Sequence, residues 1–177
     1  MKTKNIKEKI KEFFFINPNS RLRVREIERT LKLPLPSVIR YCRELEKEEI
    51  LKTVKIGSVI FYTSNRTSKN FLLEKKLFNI KQLHESELIE HIKKELHNPT
   101  TILFGSYAKG EDVENSDIDI YIETPSPKNI NTDKYEKKLE RKIQLFKHKN
   151  IKEIKNIHLA NNIINGIPLN KQIEVFT

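Results

Sequence analysis

The feature that most constrains this chain lies between residues 101 and 123. Ile102, Leu103 and Phe104 form a short apolar run that stops at Gly105-Ser106, the pattern of a buried strand ending in a turn. Ten residues separate Ser106 from Asp117, and from there Asp117, Asp119, Tyr121 and Glu123 alternate with Ile118, Ile120 and Ile122. Period-two alternation predicts a strand with one buried face. Both aspartates then project to the same side, ~6–7 Å apart along the strand.

The chemistry of these residue types points one way. Gly105 has no Cβ, so its backbone can approach an anion closely. Ser106 adds a hydroxyl, and a helix starting near it would aim free N–H groups and its positive dipole end at phosphate. Lys109 follows on the same turn as a cation for a phosphate tail. Asp117 and Asp119 repel each other unless a cation sits between them, and a hard ion such as Mg²⁺ prefers oxygen ligands plus substrate phosphates. Alone, a Gly-Ser turn is commonplace and an Asp-X-Asp strand is a solvated face. Joined at this spacing, they predict a metal–nucleotide site.

Gly105-Ser106, ten intervening residues and Asp117-Ile118-Asp119, with Tyr107, Gly110 and Ser116 in place, resemble the signature of the minimal nucleotidyltransferases of the DNA polymerase β superfamily. The resemblance covers residues 98–177. It implies a small mixed sheet, two Mg²⁺ ions on Asp117 and Asp119, and NTP phosphates held at Gly105, Ser106 and Lys109. It also implies transfer of a nucleoside monophosphate, often AMP from ATP, to a hydroxyl with release of pyrophosphate. Antitoxin-type members of this family adenylylate a partner toxin. The family also carries a third carboxylate on the strand after the helix that follows Asp-X-Asp. With that helix expected over 132–140 and the strand over 142–146, the position falls on Gln144, whose amide cannot take a proton from an attacking hydroxyl. Glu174, in a last strand expected over 172–176, and Glu140 are the substitutes.

Composition narrows the rest. The length of 177 residues allows two small domains. No apolar run is long enough for a membrane span, and the Lys-rich start lacks the apolar stretch of a signal peptide. A single cysteine, Cys42, excludes an internal disulfide framework and suits a reducing cytoplasm. No Cys/His cluster has zinc-ligand spacing. The net charge of +10 is uneven: residues 1–66 hold 16 Lys/Arg against 8 acids, whereas residues 67–177 hold 18 against 16. Such asymmetry predicts a polyanion-binding module joined to a more neutral one.

In that basic third, Ile6, Ile10, Phe13 and Phe14 fall at helical spacing over 1–16, and Asn17-Pro18 ends the helix. A second helix fits 24–31. A third starts at Pro36, with Ile39, Cys42 and Leu45 inward, Ser37, Arg40, Tyr41 and Glu44 outward, and Arg43 at the border. Two β-rich runs, 53–56 and 59–62, flank Gly57-Ser58, which is a hairpin signal. Helix, helix, turn, helix and hairpin over 1–66 resemble a winged helix-turn-helix. That resemblance implies duplex DNA as a partner, with Ser37, Arg40, Tyr41 and Arg43 in or near a groove and Lys55 on the wing at the backbone. The alternative use of such a module is dimerisation or docking.

Residues 67–97 read as a helical connector that bridges domains or pairs two subunits in a homodimer, with Ser86 opening a separate helix. An amphipathic helix is expected from Ile151 to near Asn165-Gly166. The expected whole is an α+β chain with three parts: a winged helix-turn-helix over 1–66, a connector over 67–97 and a nucleotidyltransferase domain over 98–177. As an enzyme it moves a nucleoside monophosphate from NTP·Mg²⁺ to a hydroxyl. The rival is a DNA-binding regulator whose nucleotide pocket senses a ligand or holds a partner without turnover.

Overall fold

The computed structural model describes residues 5–174. The chain is α+β and divides into two compact units, Met1–Phe78 and Asn79–Thr177. No helix among the described residues is long and apolar enough to cross a membrane.

The first unit opens with α1 (Ile6–Ile16), where the Asn5 side chain accepts the Lys7 N–H at 3.3 Å. Residues 1–4 of the helix expected there lie outside the described residues. Asn17 ends α1 because Pro18 disfavours helical backbone in the residue before it. The second helix, α2 (Val24–Leu31), begins where the Glu26 carboxylate accepts the Arg23 N–H at 2.7 Å. It stops at Lys32, whose φ of 52° is left-handed. The third, α3 (Leu35–Lys47), carries Pro36 in its first turn, where the missing N–H costs nothing. Strands β1 (Leu51–Ile56) and β2 (Val59–Ser64) pair antiparallel around Gly57-Ser58 in a ladder longer than 53–56 and 59–62. Gly57 adopts φ +60°, which the tight turn requires. Leu22 joins this hairpin through two backbone hydrogen bonds with Tyr62, of 3.0 and 2.8 Å.

The core of this unit gathers Ile10, Phe14, Ile27, Val38, Cys42 and Leu45. Ile39, expected inward, is exposed; Val38 takes its place. The buried stripe of α3 runs Val38, Cys42, Leu45, at i, i+4 and i+7, and Ile39 falls about 100° away from Val38 around the axis. Burial pushes the Cys42 thiol up to about 12, leaving it inert.

The segment read as a connector forms α4 (Lys69–Glu85) and α5 (Leu88–Glu95). Ser86 separates them, its hydroxyl accepting the Leu88 N–H at 3.2 Å. Helix α4 contributes to both cores, and α5 packs in the second alone. Phe71, Leu72 and Phe78 pack in the first unit, and Ile80, Leu83, Leu88, Ile89 and Ile92 pack in the second. Leu77, grouped with the apolar positions of the connector, is exposed.

The second unit is built on β3 (Thr100–Phe104), β4 (Ile118–Glu123), β5 (Ile143–His148) and β6 (Ile167–Asn170), in the order β5-β4-β3-β6. Strand β3 is antiparallel to β4 and β6, while β4 and β5 run parallel, so the sheet is small and mixed. The parallel step carries α7 (Asp133–Leu139), as such a crossover needs. Ile118, Ile120, Ile122 and Leu103 bury one face with residues of α5 and with Tyr135 of α7.

The other face is also covered, contrary to the one-sided strand that alternation suggested. Ile102, Phe104 and Tyr121 form a second core with Ile151 and Ile163. Tyr121 is fully buried; its hydroxyl donates to Glu123 at 3.0 Å, and Glu123 also accepts the Ile151 N–H at 2.9 Å. The helix expected from Ile151 is broken. Ile151–Glu153 is a 3₁₀ turn, and α8 (Ile157–Ile164) starts afresh where the Asn156 side chain accepts the His158 and Leu159 N–H groups at 3.0 and 3.2 Å. The strand expected over 172–176 is displaced. Strand β6 ends at Asn170, residues 172–174 are irregular, and residues 175 and 176 lie outside the described residues.

Candidate active site

Strand β3 ends at Phe104, and the one-turn helix α6 (Gly105–Lys109) begins at the next residue. The antiparallel register sets Phe104 opposite Asp119. The backbone leaving β3 therefore turns directly against the Asp119 carboxylate. Gly105 has φ +74°, and a Cβ at this position would overlap Asp119 Oδ2. Only glycine satisfies both conditions. Ser106 is half-buried on the turn and Lys109 is exposed at its last residue, while Tyr107 and Ala108 are buried and anchor it.

A polar clamp that sequence reading missed holds this turn in place. The Asn79 side-chain amide donates to the Tyr107 carbonyl at 2.9 Å and to Asp112 Oδ1 at 2.7 Å, with both Asn79 and Asp112 buried. Burial and then the Asp112 charge hold the Tyr107 phenol well above its ordinary value. Downstream, the Ser116 hydroxyl accepts the Val113 N–H at 2.9 Å and its own N–H returns to the Val113 carbonyl at 3.0 Å. This closed turn delivers the next residue, Asp117. Nothing in the local sequence singles out Asn79 from the other polar residues of α4.

Asp117 lies exposed just ahead of β4, not within the strand as alternation suggested, and Asp119 is half-buried inside it. Burial, followed by the Asp117 charge, raises the Asp119 carboxyl above the usual carboxylate range. Neither carboxylate has an ion pair or hydrogen bond among the described residues. An oxygen-only pair with no protein cation to neutralise it fits a hard divalent ion. Among the described residues no group of three or more His, Cys, Asp or Glu side chains surrounds such a position.

Gln144 stands in β5 in parallel register with Asp119. Ile143 and Leu145 on either side of it pack in the α5/α7 core, and Phe146 packs with Phe104, so Gln144 shares the sheet face of Asp119. Of the two substitute acids, Glu140 ends α7 with φ 52°. It borders a polar cleft with Asp133, Glu136, Lys137, Arg141 and Lys142 that includes neither aspartate. Glu174 is exposed and irregular beyond β6.

The five residues singled out for DNA are all in the first unit. The Arg40 guanidinium lies 4.3 Å from the centre of the Tyr41 ring, hydrogen-bonds its hydroxyl and pairs with Glu44 at 3.7 Å. Ser37 and Tyr41 are half-buried. Arg43, read as a border residue, is fully on the exposed side, and Lys47 lies one turn further along. Lys55 is exposed on β1, paired in the ladder with Ile60.

A family model described as a nucleotidyltransferase domain matches residues 85–173, which takes in α5 as well as the whole four-stranded sheet. Comparison with curated proteins and with solved structures gave no match. Covering half of the sequence and every residue of the Gly-Ser turn and the aspartate pair, that match makes the chain a member of the nucleotidyltransferase domain family.

Proposed function

We propose that the second unit transfers a nucleoside monophosphate, AMP from ATP, to a hydroxyl acceptor, and that the first unit is a winged helix-turn-helix that binds duplex DNA. The observation that carries the enzymatic reading is the contact between the Gly105 backbone and the Asp119 carboxylate. A phosphate-holding turn and a metal-binding carboxylate must meet in this way for one nucleotide to bridge them.

Gly105 lets the backbone come close to the phosphate tail, Ser106 offers a hydroxyl to it, and Lys109 supplies a mobile cation. Asp117 and Asp119 hold Mg²⁺ through their oxygens. A divalent ion held there would neutralise charge on the nucleotide's phosphates. Gln144 orients groups by hydrogen bonding and takes no proton. The acceptor to test first, by similarity to antitoxin-type members, is a hydroxyl side chain on a partner toxin. The reducing cytoplasm suits the lone Cys42. The DNA reading rests on the local charge of residues 1–66, on the exposed cations Arg43, Lys47 and Lys55, and on three helices followed by a hairpin.

The test is incorporation of label from ATP radioactive at the α-phosphate into a cell extract or a candidate partner, with Mg²⁺ present. Labelling that disappears in Asp117→Asn/Asp119→Asn supports transfer. Gln144 favours the second reading, a DNA-binding regulator that holds nucleotide without turnover. Tight nucleotide binding with no labelled acceptor would select it.

A further inference from the structure

We infer that this site holds one divalent ion per bound nucleotide, not two, and that Gln144 is the residue that sets the number. The inference rests on the nucleotide-binding reading above and deepens it.

Asp119 has two in-register neighbours in the sheet. On β3 the neighbour is Phe104, buried and packed edge-to-face on Phe146 with ring centres 5.1 Å apart. On β5 the neighbour is Gln144. One side is thus apolar and the other neutral, and the remaining carboxylate is Asp117 in the approach to β4. The protein contributes two negative charges. Among the described residues no third acid, Glu140 and Glu174 included, joins them in a group that could hold a metal.

Two divalent ions in a phosphoryl-transfer site stand ~3.5–4 Å apart. Four positive charges at that separation repel strongly and need carboxylates shared between them. Asp117 and Asp119, together with the nucleotide's phosphates, satisfy one ion. The second, the one that would sit beside the acceptor hydroxyl, lacks its ligand, because Gln144 offers one weak carbonyl donor and a pair of N–H groups that an ion repels. The neighbouring strand is ~4.8 Å away, near enough for a carboxylate at position 144 to bridge to an ion held by Asp119. A single-ion site retains nucleotide and leaves the acceptor hydroxyl without a metal beside it.

The experiment counts Mn²⁺ bound to the full chain by electron paramagnetic resonance or equilibrium dialysis, with saturating α,β-methylene-ATP so that no transfer occurs. The parent is expected to bind one Mn²⁺ per bound nucleotide, Gln144→Asp two, and Gln144→Asn one. Gln144→Glu serves if the aspartate variant does not fold. Two ions on the parent overturn the inference and leave the nucleotide-binding reading intact. One ion on folded Gln144→Asp and Gln144→Glu alike shows that position 144 does not set the number, which also overturns it. Neither ion nor nucleotide on the folded parent overturns the underlying reading and this inference with it.

Discussion

Gly105 and Asp119 occupy space that a single methyl group would close: a Cβ on residue 105 would overlap Asp119 Oδ2, and the φ of +74° is one that side chains resist. The turn and the carboxylate are therefore matched in the fold before any ligand arrives. Gly105→Ala should lower stability by about 1–3 kcal/mol from backbone strain alone, and nucleotide binding should fall below detection because Asp119 must move. Urea denaturation and calorimetry measure the two effects. An alanine variant that binds ATP·Mg²⁺ as the parent does would show that the turn and the carboxylate do not share a ligand.

Asp119 is a half-buried carboxylate whose charge is disfavoured by burial and by Asp117, with no cation paired to it among the described residues. Its ionised form strains the fold in the absence of metal. Asp119→Asn should therefore raise the urea midpoint of metal-free protein at neutral pH while removing stabilisation by Mg²⁺ and ATP. This is the trade between stability and function expected of a binding site. A variant less stable than the parent without metal would mean that Asp119 has a structural partner.

The Asn79 clamp ties the end of α4 to α6 and to the loop that leads to Asp117. Asn79→Ala leaves the Tyr107 carbonyl and Asp112 with one donor fewer in a buried setting, a loss of ~1–3 kcal/mol. Nucleotide affinity should fall with it, although Asn79 touches no ligand. Asn79→Asp should not rescue, since a carboxylate cannot donate. Unchanged affinity in a destabilised Asn79→Ala would separate the clamp from the site.

Arg43 and Lys47 lie one turn apart on the exposed side of α3. If they contact phosphate, each Ala substitution should reduce the slope of log affinity against log salt by ~1 and weaken all duplex sequences alike. Fluorescence anisotropy across a salt series reads both. Parent protein whose association with duplex DNA is absent at low salt would remove the DNA reading.

Much of the architecture was legible because it follows from local pattern. The bounds of α2, the Gly57-Ser58 hairpin and the break at Ser86 are written in capping residues, turn chemistry and periodicity. The position of Gln144 followed from the family resemblance and not from local pattern, and its pairing with Asp119 is a matter of sheet register. What was not legible depends on tertiary contact. Ile39 and Val38 are adjacent apolar residues, and only the packing of α1 and α2 decides which one turns inward. Tyr121 and Glu123 looked like a solvated face, yet Ile151 and Ile163, distant in sequence, cover that side of the sheet. The helix expected from Ile151 failed at Asn156, whose side chain caps a new helix instead of continuing the old one. Asn79 carries no sequence signature, because its partners lie 28 and 33 residues away.

The most direct test of the account is calorimetric titration of the full chain with ATP, with and without Mg²⁺. One ATP is expected to bind in a Mg²⁺-dependent way, with binding abolished in Asp117→Asn/Asp119→Asn and weakened in Ser106→Ala. A folded double variant that binds ATP and Mg²⁺ as tightly as the parent would contradict it.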